Sequence, residues 1–392
     1  MIAPTRRRML LGLPALATMG RVSLAVAAAG TENRLVVVML RGGLDGLGTV
    51  VPIGDPDLRG LRPGLVPPSP GEPGGLLPLN DFFALHPALA GLHRLYRAGE
   101  VLPIHAVAPP HRNRSHFDAQ DYMEIGASHR LSSGWLNRAA ALIPASPAVP
   151  AALALGTHTP ILLRGPAKVG NWAPPAWQPL SADLSSRLMR LHARDAVTGP
   201  ALAEALHERG FTDAVLQGHA PPPPNNPFTV LAERAGLLLA AAEGPRLAAL
   251  DILGWDTHTS QLARLGWELS RLDEGLMALR AGLGAAWTRT VVLAISEFGR
   301  TARENGTGGT DHGTAGVAFL LGGAVAGGRV LADWPGLTPN ALFENRDLRP
   351  TLDLNRVIRA VLAAHLGLPD VALADVLPES TGAQPMAGLL RG

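Results

Sequence analysis

A continuous apolar run over residues 35–40, Leu-Val-Val-Val-Met-Leu, places the strongest constraint on how this chain folds. A run without apolar–polar alternation is typical of a strand that is buried on both faces, as in a parallel sheet. Further strands are predicted at 101–107, 247–253, 290–295 and 316–321, and helices at 81–99, near 180–208, and at 228–243, 260–283 and 351–366. Strands that alternate with helices predict an α/β fold with a doubly wound, mostly parallel sheet.

Residues 30–392 are expected to form a single α/β domain, in which 140–227 is an insertion or cap on the core. This stretch is less clearly patterned than the rest, and it ends in the proline-rich segment 219–227, which is typical of a stiff linker. Residues 60–80 are rich in proline and glycine and are predicted to form an irregular surface loop. Thr351 is the expected N-cap of the last helix.

The first 29 residues have the order of a twin-arginine signal peptide. Arg6 and Arg7 precede an apolar stretch from Met9 to Met19, and a small-residue tail follows at 25–29. A membrane anchor is the alternative, but the apolar stretch is shorter than the roughly 20 residues that a membrane-spanning helix needs, and Arg21 interrupts it. The expected location is therefore periplasmic or secreted. The expected partner during export is the twin-arginine translocation machinery, with no stable membrane anchor after cleavage.

Charge and cysteine content exclude several classes of protein. The chain has a net charge of +2, and the signal contains four arginines and no acidic residue, so the mature chain is slightly acidic at −2. No basic stripe of the kind that nucleic-acid binding needs is present, so we expect no nucleic-acid partner. The chain has no cysteine. Disulfides, thiolate metal ligands and a cysteine nucleophile are therefore excluded, and a metal must be held by carboxylate, imidazole or hydroxyl groups.

Four polar clusters lie at the ends of predicted strands. Open parallel sheets bind ligands at the carboxyl ends of their strands. The residues that could ligate a divalent metal are Asp45, Asp256, His258, Glu297, Asp311 and His312. Carboxylates and imidazoles suit zinc, manganese or iron. Each cluster also has a structural alternative. Asp45 would be a turn residue, Asp256 or Thr257 a helix cap, and Glu297 the ion-pair partner of Arg300.

Ser115 is the candidate nucleophile, because it stands at a predicted helix start, where free backbone N–H groups favour an anion. The alternative is structural, since Ser115 and Asp118 also match a capping-box pattern. His116 and Arg114 would hold an anionic group or lie on the solvated surface. The candidate catalytic residues are Ser115, His116 and Arg300.

The motifs together resemble domain-of-unknown-function family 1501, whose members are typically exported by the twin-arginine route. The matching segments are 40–46, 115–118, 254–258, 296–300 and 309–312. This family is in turn similar to the alkaline-phosphatase-like superfamily, which includes sulfatases. The resemblance implies a two-metal site at the strand ends, with Asp45, Asp256, His258 and His312 as ligands and Ser115 in the place of the nucleophile. Glu297 and Phe298 stand where the superfamily has an Asp-His pair, so one metal position departs from its pattern.

Two functions from different classes follow as hypotheses. The first is an exported hydrolase of small phosphate or sulfate esters that uses Ser115 and one or two divalent ions, with zinc, manganese, calcium and magnesium all open. The second is a catalytically degenerate member of the family that binds a ligand or a partner protein, which the presence of Phe298 favours. Convergence of the predicted ligands near Ser115 would favour the enzyme. The oligomeric state is left open.

Overall fold

The computed structural model describes residues 32–128, 131–144, 149–174, 181–219, 227–380 and 386–391. The predicted signal peptide and nearly all of the proline-rich segment 219–227 lie outside these ranges. The strands of the described residues are β1 (Arg34–Arg41), β2 (Val50–Val51), β3 (Leu77–Pro78), β4 (Ala84–Leu85), β5 (Val101–Ala108), β6 (Ala152–Leu155), β7 (Val169–Trp172), β8 (Leu247–Leu253), β9 (Thr290–Ile295), β10 (Gly316–Leu321) and β11 (Leu352–Asp353).

The α-helices of the same residues are α1 (Gly46–Thr49), α2 (Leu58–Leu61), α3 (Ala90–Arg97), α4 (His116–Ile125), α5 (Trp135–Ala140), α6 (Ala182–His192), α7 (Thr198–Leu216), α8 (Pro227–Ala240), α9 (Gln261–Leu283), α10 (Leu354–Ala364) and α11 (Asp370–Val376). None of the described helices is both long enough and apolar enough to cross a membrane.

Eight strands form one sheet in the order β11-β5-β10-β9-β1-β8-β6-β7. Neighbouring strands pair in parallel except β10, which runs antiparallel to both β9 and β5. The predicted α/β fold with a mostly parallel sheet is therefore confirmed. The segment 140–227 contributes β6 and β7 to this sheet, and its helix α7 has no buried residue.

The apolar run that forms β1 is buried on both sides because helices cover both faces of the sheet. Leu35, Val37 and Met39 pack into one core with residues of α5 and α10. Val36 and Val38 point the other way, into a second core that includes residues of α3, α8 and α9. Alternate side chains of one central strand thus anchor two layers of helices.

The predicted strands are confirmed, and three predictions about helices are corrected. Helix 81–99 begins only after Pro87, because Ala84 and Leu85 form β4 in a small three-stranded sheet with β2 and β3. The N-cap of α10 is Asp353, whose carboxylate accepts a hydrogen bond from the Asn355 amide. Thr351 instead donates its hydroxyl hydrogen bond to the carbonyl of Asp333. The single helix near 180–208 is in fact the pair α6 and α7.

Candidate metal centre

Loops from separate strands meet at the carboxyl edge of the sheet. The Gly42 amide, just after β1, donates to Glu297 Oε1, just after β9, over 2.8 Å. His312, before β10, is bonded through Nδ1 to the carbonyl of Arg114, before α4, also over 2.8 Å. Because β10 runs antiparallel, the loop that precedes it reaches the same edge as the loops that follow β1, β8 and β9.

Four side chains form what we call the histidine cluster, namely His116, Asp256, His258 and His312. Asp256 Oδ1 lies 3.0 Å from His258 Nε2 and 3.2 Å from His312 Nε2. The two imidazole nitrogens, His258 Nε2 and His312 Nε2, lie 3.1 Å apart. His116 Nε2 lies 3.6 Å from Asp256 Oδ2. Ligand atoms of His116, Asp256 and His312 all fall within 4.8 Å of one another, as a shared metal ion requires.

The Nδ1 atom of each imidazole faces an oxygen atom that can only accept a hydrogen bond. His116 Nδ1 bonds Glu297 Oε1 at 2.8 Å, and His258 Nδ1 lies 3.1 Å from Asp311 Oδ1. The acceptor for His312 Nδ1 is the Arg114 carbonyl. Carbonyls and carboxylates only accept, so the tautomer that suits these three partners has its proton on Nδ1 and its lone pair on Nε2. Three lone pairs then point towards one carboxylate.

In this tautomer the lone pairs and the carboxylate repel one another at these distances, and Arg300 Nη1, 2.6 Å from Asp256 Oδ1, is the cation that the protein itself supplies. His116 Nε2 is buried and has no hydrogen-bond partner among the described residues. A proton shared within the cluster or a divalent cation would satisfy it. Three imidazoles and one carboxylate match the ligands that zinc takes in proteins, and acceptors behind the imidazoles are typical of metal sites.

The charges around Asp256 and His312 favour the forms that a metal binds, whereas those around His116 favour its protonated form. Burial acts to raise the pKa of Asp256, but the Arg300 guanidinium, 2.6 Å away, and the neighbouring histidines hold that pKa below its ordinary value. Burial lowers the pKa of His312, and the adjacent His116 lowers it further. The hydrogen bond that His116 donates to Glu297 raises the pKa of His116. Asp256 is thus ionised and His312 neutral, as metal binding requires.

Phe298 lies against two imidazoles of the cluster. Its ring centroid is 4.8 Å from that of His116 and 5.0 Å from that of His312, and the side chain is buried. Gly43 allows this position, because a Cβ built there would lie 2.6 Å from Phe298 Cε2. Phe298 therefore fills space beside the cluster and fixes the planes of both rings.

Glu297 is placed behind His116. Its Oε1 accepts hydrogen bonds from Gly42, His116 and Gln120, and Ser296 donates to its Oε2. Burial acts to raise the pKa of Glu297, but these hydrogen bonds hold that pKa below its ordinary value. The carboxylate is therefore an ionised acceptor that orients His116.

Asp45 is also placed outside the cluster. It is buried, and its Oδ2 accepts hydrogen bonds of 2.6 Å from both Arg62 and Gln261. Gln261 Oε1 in turn accepts from the hydroxyl groups of Thr257 and Thr310. Asp45 thus belongs to a buried network behind the loop that carries Asp256.

Arg300 is buried, and its guanidinium is fully engaged by protein groups. Nη1 bonds Asp256 Oδ1, Nε lies 3.2 Å from Thr310 Oγ1, and Nη2 bonds the Thr310 carbonyl. Arg300 therefore orients Asp256 and does not face a ligand. The guanidinium of Arg114 is similarly held, by Asp347 at 2.8 Å and Glu344 at 2.6 Å.

Ser115 is the N-cap residue of α4, but its side chain makes no capping hydrogen bond. The side chain of Asn113 makes the hydrogen bonds at this helix start. Its Oδ1 accepts from the Ser115 amide at 2.9 Å, and its Nδ2 donates to Asp118 at 2.6 Å. The capping-box alternative is therefore not formed. The half-buried hydroxyl of Ser115 precedes His116 directly in the chain.

Sequence reasoning missed the residues that support the cluster from behind. Gln120, Arg62, Gln261 and Asp347 carry no motif, and each lies far in sequence from the group it bonds. Among the missed set, only Gln120 offered a signal, since it lies one helical turn after His116 and so shares its face of α4.

Residues 102–379 match the family described as a protein of unknown function, DUF1501, and this match covers more than half of the chain. The chain belongs to the DUF1501 family. The motif at 40–46 precedes the matched range, whereas all four residues of the histidine cluster fall inside it.

No curated protein matches this DUF1501 member. Among solved structures, it is similar to one titled "Crystal structure of Ps i-CgsB in complex with k-i-k-neocarrahexaose". That likeness has a TM-score of 0.40 at 10% sequence identity, and it covers 87% of this chain and 74% of the other.

Proposed function

We propose that this DUF1501 protein is an exported, metal-dependent hydrolase of small phosphate or sulfate esters, with a core related to the alkaline-phosphatase-like superfamily. One observation carries the proposal. The three imidazoles of the histidine cluster each turn Nδ1 to an acceptor and Nε2 towards the carboxylate of Asp256. Imidazole nitrogens that converge on one carboxylate, each with an acceptor behind the ring, are the arrangement of a metal site rather than of a structural ion pair.

His116, Asp256, His258 and His312 would hold the ion, with zinc as the best match to the donor set. When bound, the ion supplies a positive charge that polarises an ester and stabilises the negative charge that develops on its oxygens. Arg300 holds Asp256 in place, while Glu297, Asp311 and the Arg114 carbonyl hold the three imidazoles. These groups restrict the ring orientations before a ligand arrives, which lowers the cost of ordering the site.

Ser115 is the nucleophile in this proposal. Its hydroxyl makes no capping bond, and it lies at the N-terminus of α4, a ten-residue helix whose free amides favour an anionic ester. Ser115 Oγ would bond to phosphorus or sulfur while the bond from that atom to the alcohol oxygen breaks, and the hydroxyl proton of Ser115 would pass to the departing alcohol oxygen. Water would then release the phosphate or sulfate and restore the serine.

The alternative is a binding protein that catalyses nothing. Phe298 beside two imidazoles, together with Asp45 and Glu297 engaged elsewhere, favours one ion over two. Among the described residues, the group around Asp256 is the one cluster of three or more metal-ligand side chains. A single-ion site suits ligand binding as well as hydrolysis.

The test is a panel of p-nitrophenyl phosphate, bis-p-nitrophenyl phosphate and p-nitrocatechol sulfate, assayed with mature protein that has been stripped of metal and then reloaded with zinc or manganese. We expect metal-dependent release of chromophore from at least one ester class, and its loss in His312→Ala. His158→Ala is the matched control, because His158 is exposed and lies outside the cluster. A metal-loaded protein that cleaves none of the three would favour the binding alternative.

A further inference from the structure

A cavity of about 520 Å³ is lined by residues of β8 and α8 and by the segments that follow β6 and β7. Its walls are mostly apolar and include Leu155, Pro160, Val230, Leu231 and Leu253. The volume falls in the range of small-molecule sites, roughly 300–1,000 Å³. No residue of the histidine cluster lines it, so it is a site of its own.

One acidic side chain, Asp251, stands in this apolar wall. Its Oδ1 lies 3.2 Å from Arg41 Nη2. Its Oδ2 is 3.9 Å from Nε2 of the exposed His158, which is beyond hydrogen-bond distance. Burial raises the pKa of Asp251, because the charged carboxylate has lost water that the protein does not fully replace.

Arg41 does not neutralise Asp251 fully, because it is shared with a second carboxylate. Arg41 Nη1 lies 2.8 Å from Glu124 Oε1. Glu124 Oε2 is bonded by the Leu162 amide at 2.8 Å, so this carboxylate is satisfied without the cavity. Two carboxylates that share one guanidinium leave one net negative charge. Of the two carboxylates, that of Asp251 borders the cavity.

We propose that this cavity binds an apolar small molecule that carries one amino group, with the ammonium bonded to Asp251 and the apolar body against β8 and α8. A buried charge is costly unless it is paired, and an ammonium supplies both the missing charge and a donor for Asp251 Oδ2. The same charge disfavours an apolar carboxylate. This inference does not depend on the proposed hydrolase, because Asp251 and the cavity walls are distinct from the cluster.

The test is calorimetric titration of the metal-free protein, in the presence of chelator, with n-octylamine, n-octanol and octanoate below their aggregation limits. We expect one octylamine per chain, bound about tenfold more tightly than octanol because its hydrogen bond is charge-assisted, and octanoate more weakly than either. Equal affinities for the three ligands, or no binding of octylamine, would overturn the proposal.

Two variants locate the site. Asp251→Asn removes the charge at nearly constant volume, and we expect the affinities for octylamine and octanol to become about equal. Ala173→Trp places an indole in the cavity mouth and is expected to abolish binding of both ligands, with Val371→Trp, at an exposed position on α11, as the control for adding a tryptophan. Cooperative thermal unfolding establishes that each variant is folded.

Octylamine binding that survives Ala173→Trp, or a preference for amine that survives Asp251→Asn, would place the amine elsewhere and contradict the proposal. His312→Ala should bind octylamine as the wild type does. This result separates the cavity from the metal centre, whatever the fate of the proposed hydrolase.

Discussion

At the scale of single residues, the acceptor behind each imidazole decides what the site can hold. Glu297, Asp311 and the Arg114 carbonyl each face Nδ1 as a hydrogen-bond acceptor, which leaves Nε2 free to ligate when the proton is on Nδ1. The residue types alone, histidine and aspartate on loops, do not provide this orientation. A cluster of the same residues with the imidazoles turned over would be an ion-pair network.

Glu297→Gln tests this orientation. Glutamine keeps the size of the side chain but removes the charge that makes His116 a stronger ligand. We expect zinc affinity to fall about 10–100-fold, the usual cost of losing such a support. Competition against a chromophoric zinc chelator measures the affinity directly. An affinity equal to that of the wild type would show that Glu297 does not support the cluster.

Ser115→Ala separates the nucleophile from a helix cap. Since the Ser115 side chain makes no capping bond, the free energy of unfolding should change by less than about 0.5 kcal/mol. Loss of a true cap would cost about 1 kcal/mol. Ester hydrolysis should fall about a thousandfold or more. Urea denaturation and the chromogenic assay measure the two effects. A destabilised variant that retains activity would reverse the assignment.

Much of the cluster follows from sequence, because Asp256, His258 and His312 lie in glycine-flanked motifs beside strands. Asp45 and Glu297 stand at equally suggestive positions, yet Asp45 lies outside the cluster and Glu297 bonds the far nitrogen of His116, behind the cluster. The reason is tertiary. Arg62 and Gln261 bond Asp45, and Gln120 bonds Glu297. No local pattern links these partners, so the direction of a side chain after a strand could not be predicted.

At the scale of elements, the loops after β1 and β8 are in direct contact. A Cβ built on Gly42 would lie 2.6 Å from the Asp256 amide nitrogen, and the φ of Gly42 is +126°, which only glycine adopts readily. The two loops can approach only because glycine occupies this position. The placement of Asp256 therefore depends on a residue in another loop.

Gly42→Ala should consequently displace the loop that carries Asp256. We expect a loss of about 1–3 kcal/mol in the free energy of unfolding, from strain at this φ and from the clash, together with weaker zinc binding. Gly60→Ala is the control, because nothing lies within 4 Å of a Cβ built there. Urea denaturation of both variants compares them. Equal stabilities of the two would contradict the close contact.

Element predictions succeeded where the apolar pattern was long and failed where it was short. The runs that form β1, β9 and β10 are buried over nearly their whole length, and β8 is buried over its first four residues, so composition alone identifies them. The apolar residues 82–85 fit a helix or a strand equally well. Pairing of β4 with β2 and β3 decides between these, and that pairing is a tertiary contact.

At the scale of the whole molecule, the neighbours of each strand in the sheet were beyond sequence reasoning. β1 lies between β8 and β9, although more than 200 residues separate it from either in the chain. The antiparallel course of β10 also has no sequence signal. Both features matter for function, since they bring the loops of the histidine cluster to one edge.

Buried histidines distant from the cluster should make stability depend on pH. Burial lowers the pKa of His105 to about 4. Its Nε2 bonds the Val50 carbonyl and its Nδ1 accepts from the Ala106 amide, so the folded protein holds it neutral. The unfolded chain binds the proton near pH 6.5, so this contribution to stability is present above that pH and is lost as pH falls towards 4.

His105→Gln removes that proton uptake. We expect the free energy of unfolding of the variant to fall less steeply than that of the wild type between pH 6.5 and 4. The variant is expected to be less stable than the wild type at pH 7.5. Urea denaturation at several pH values gives the slopes. Parallel pH profiles would show that His105 is not held neutral in the folded state.

Metal content tests the central claim most directly. Mature protein purified without chelator, dialysed against zinc and then against metal-free buffer, is analysed by mass spectrometry for metal per chain. We predict about one zinc per chain, the capacity of a single tetrahedral site, retained in His158→Ala and lost in His312→Ala. A wild-type protein that retains no stoichiometric metal, or a His312→Ala variant that retains as much, would contradict the account.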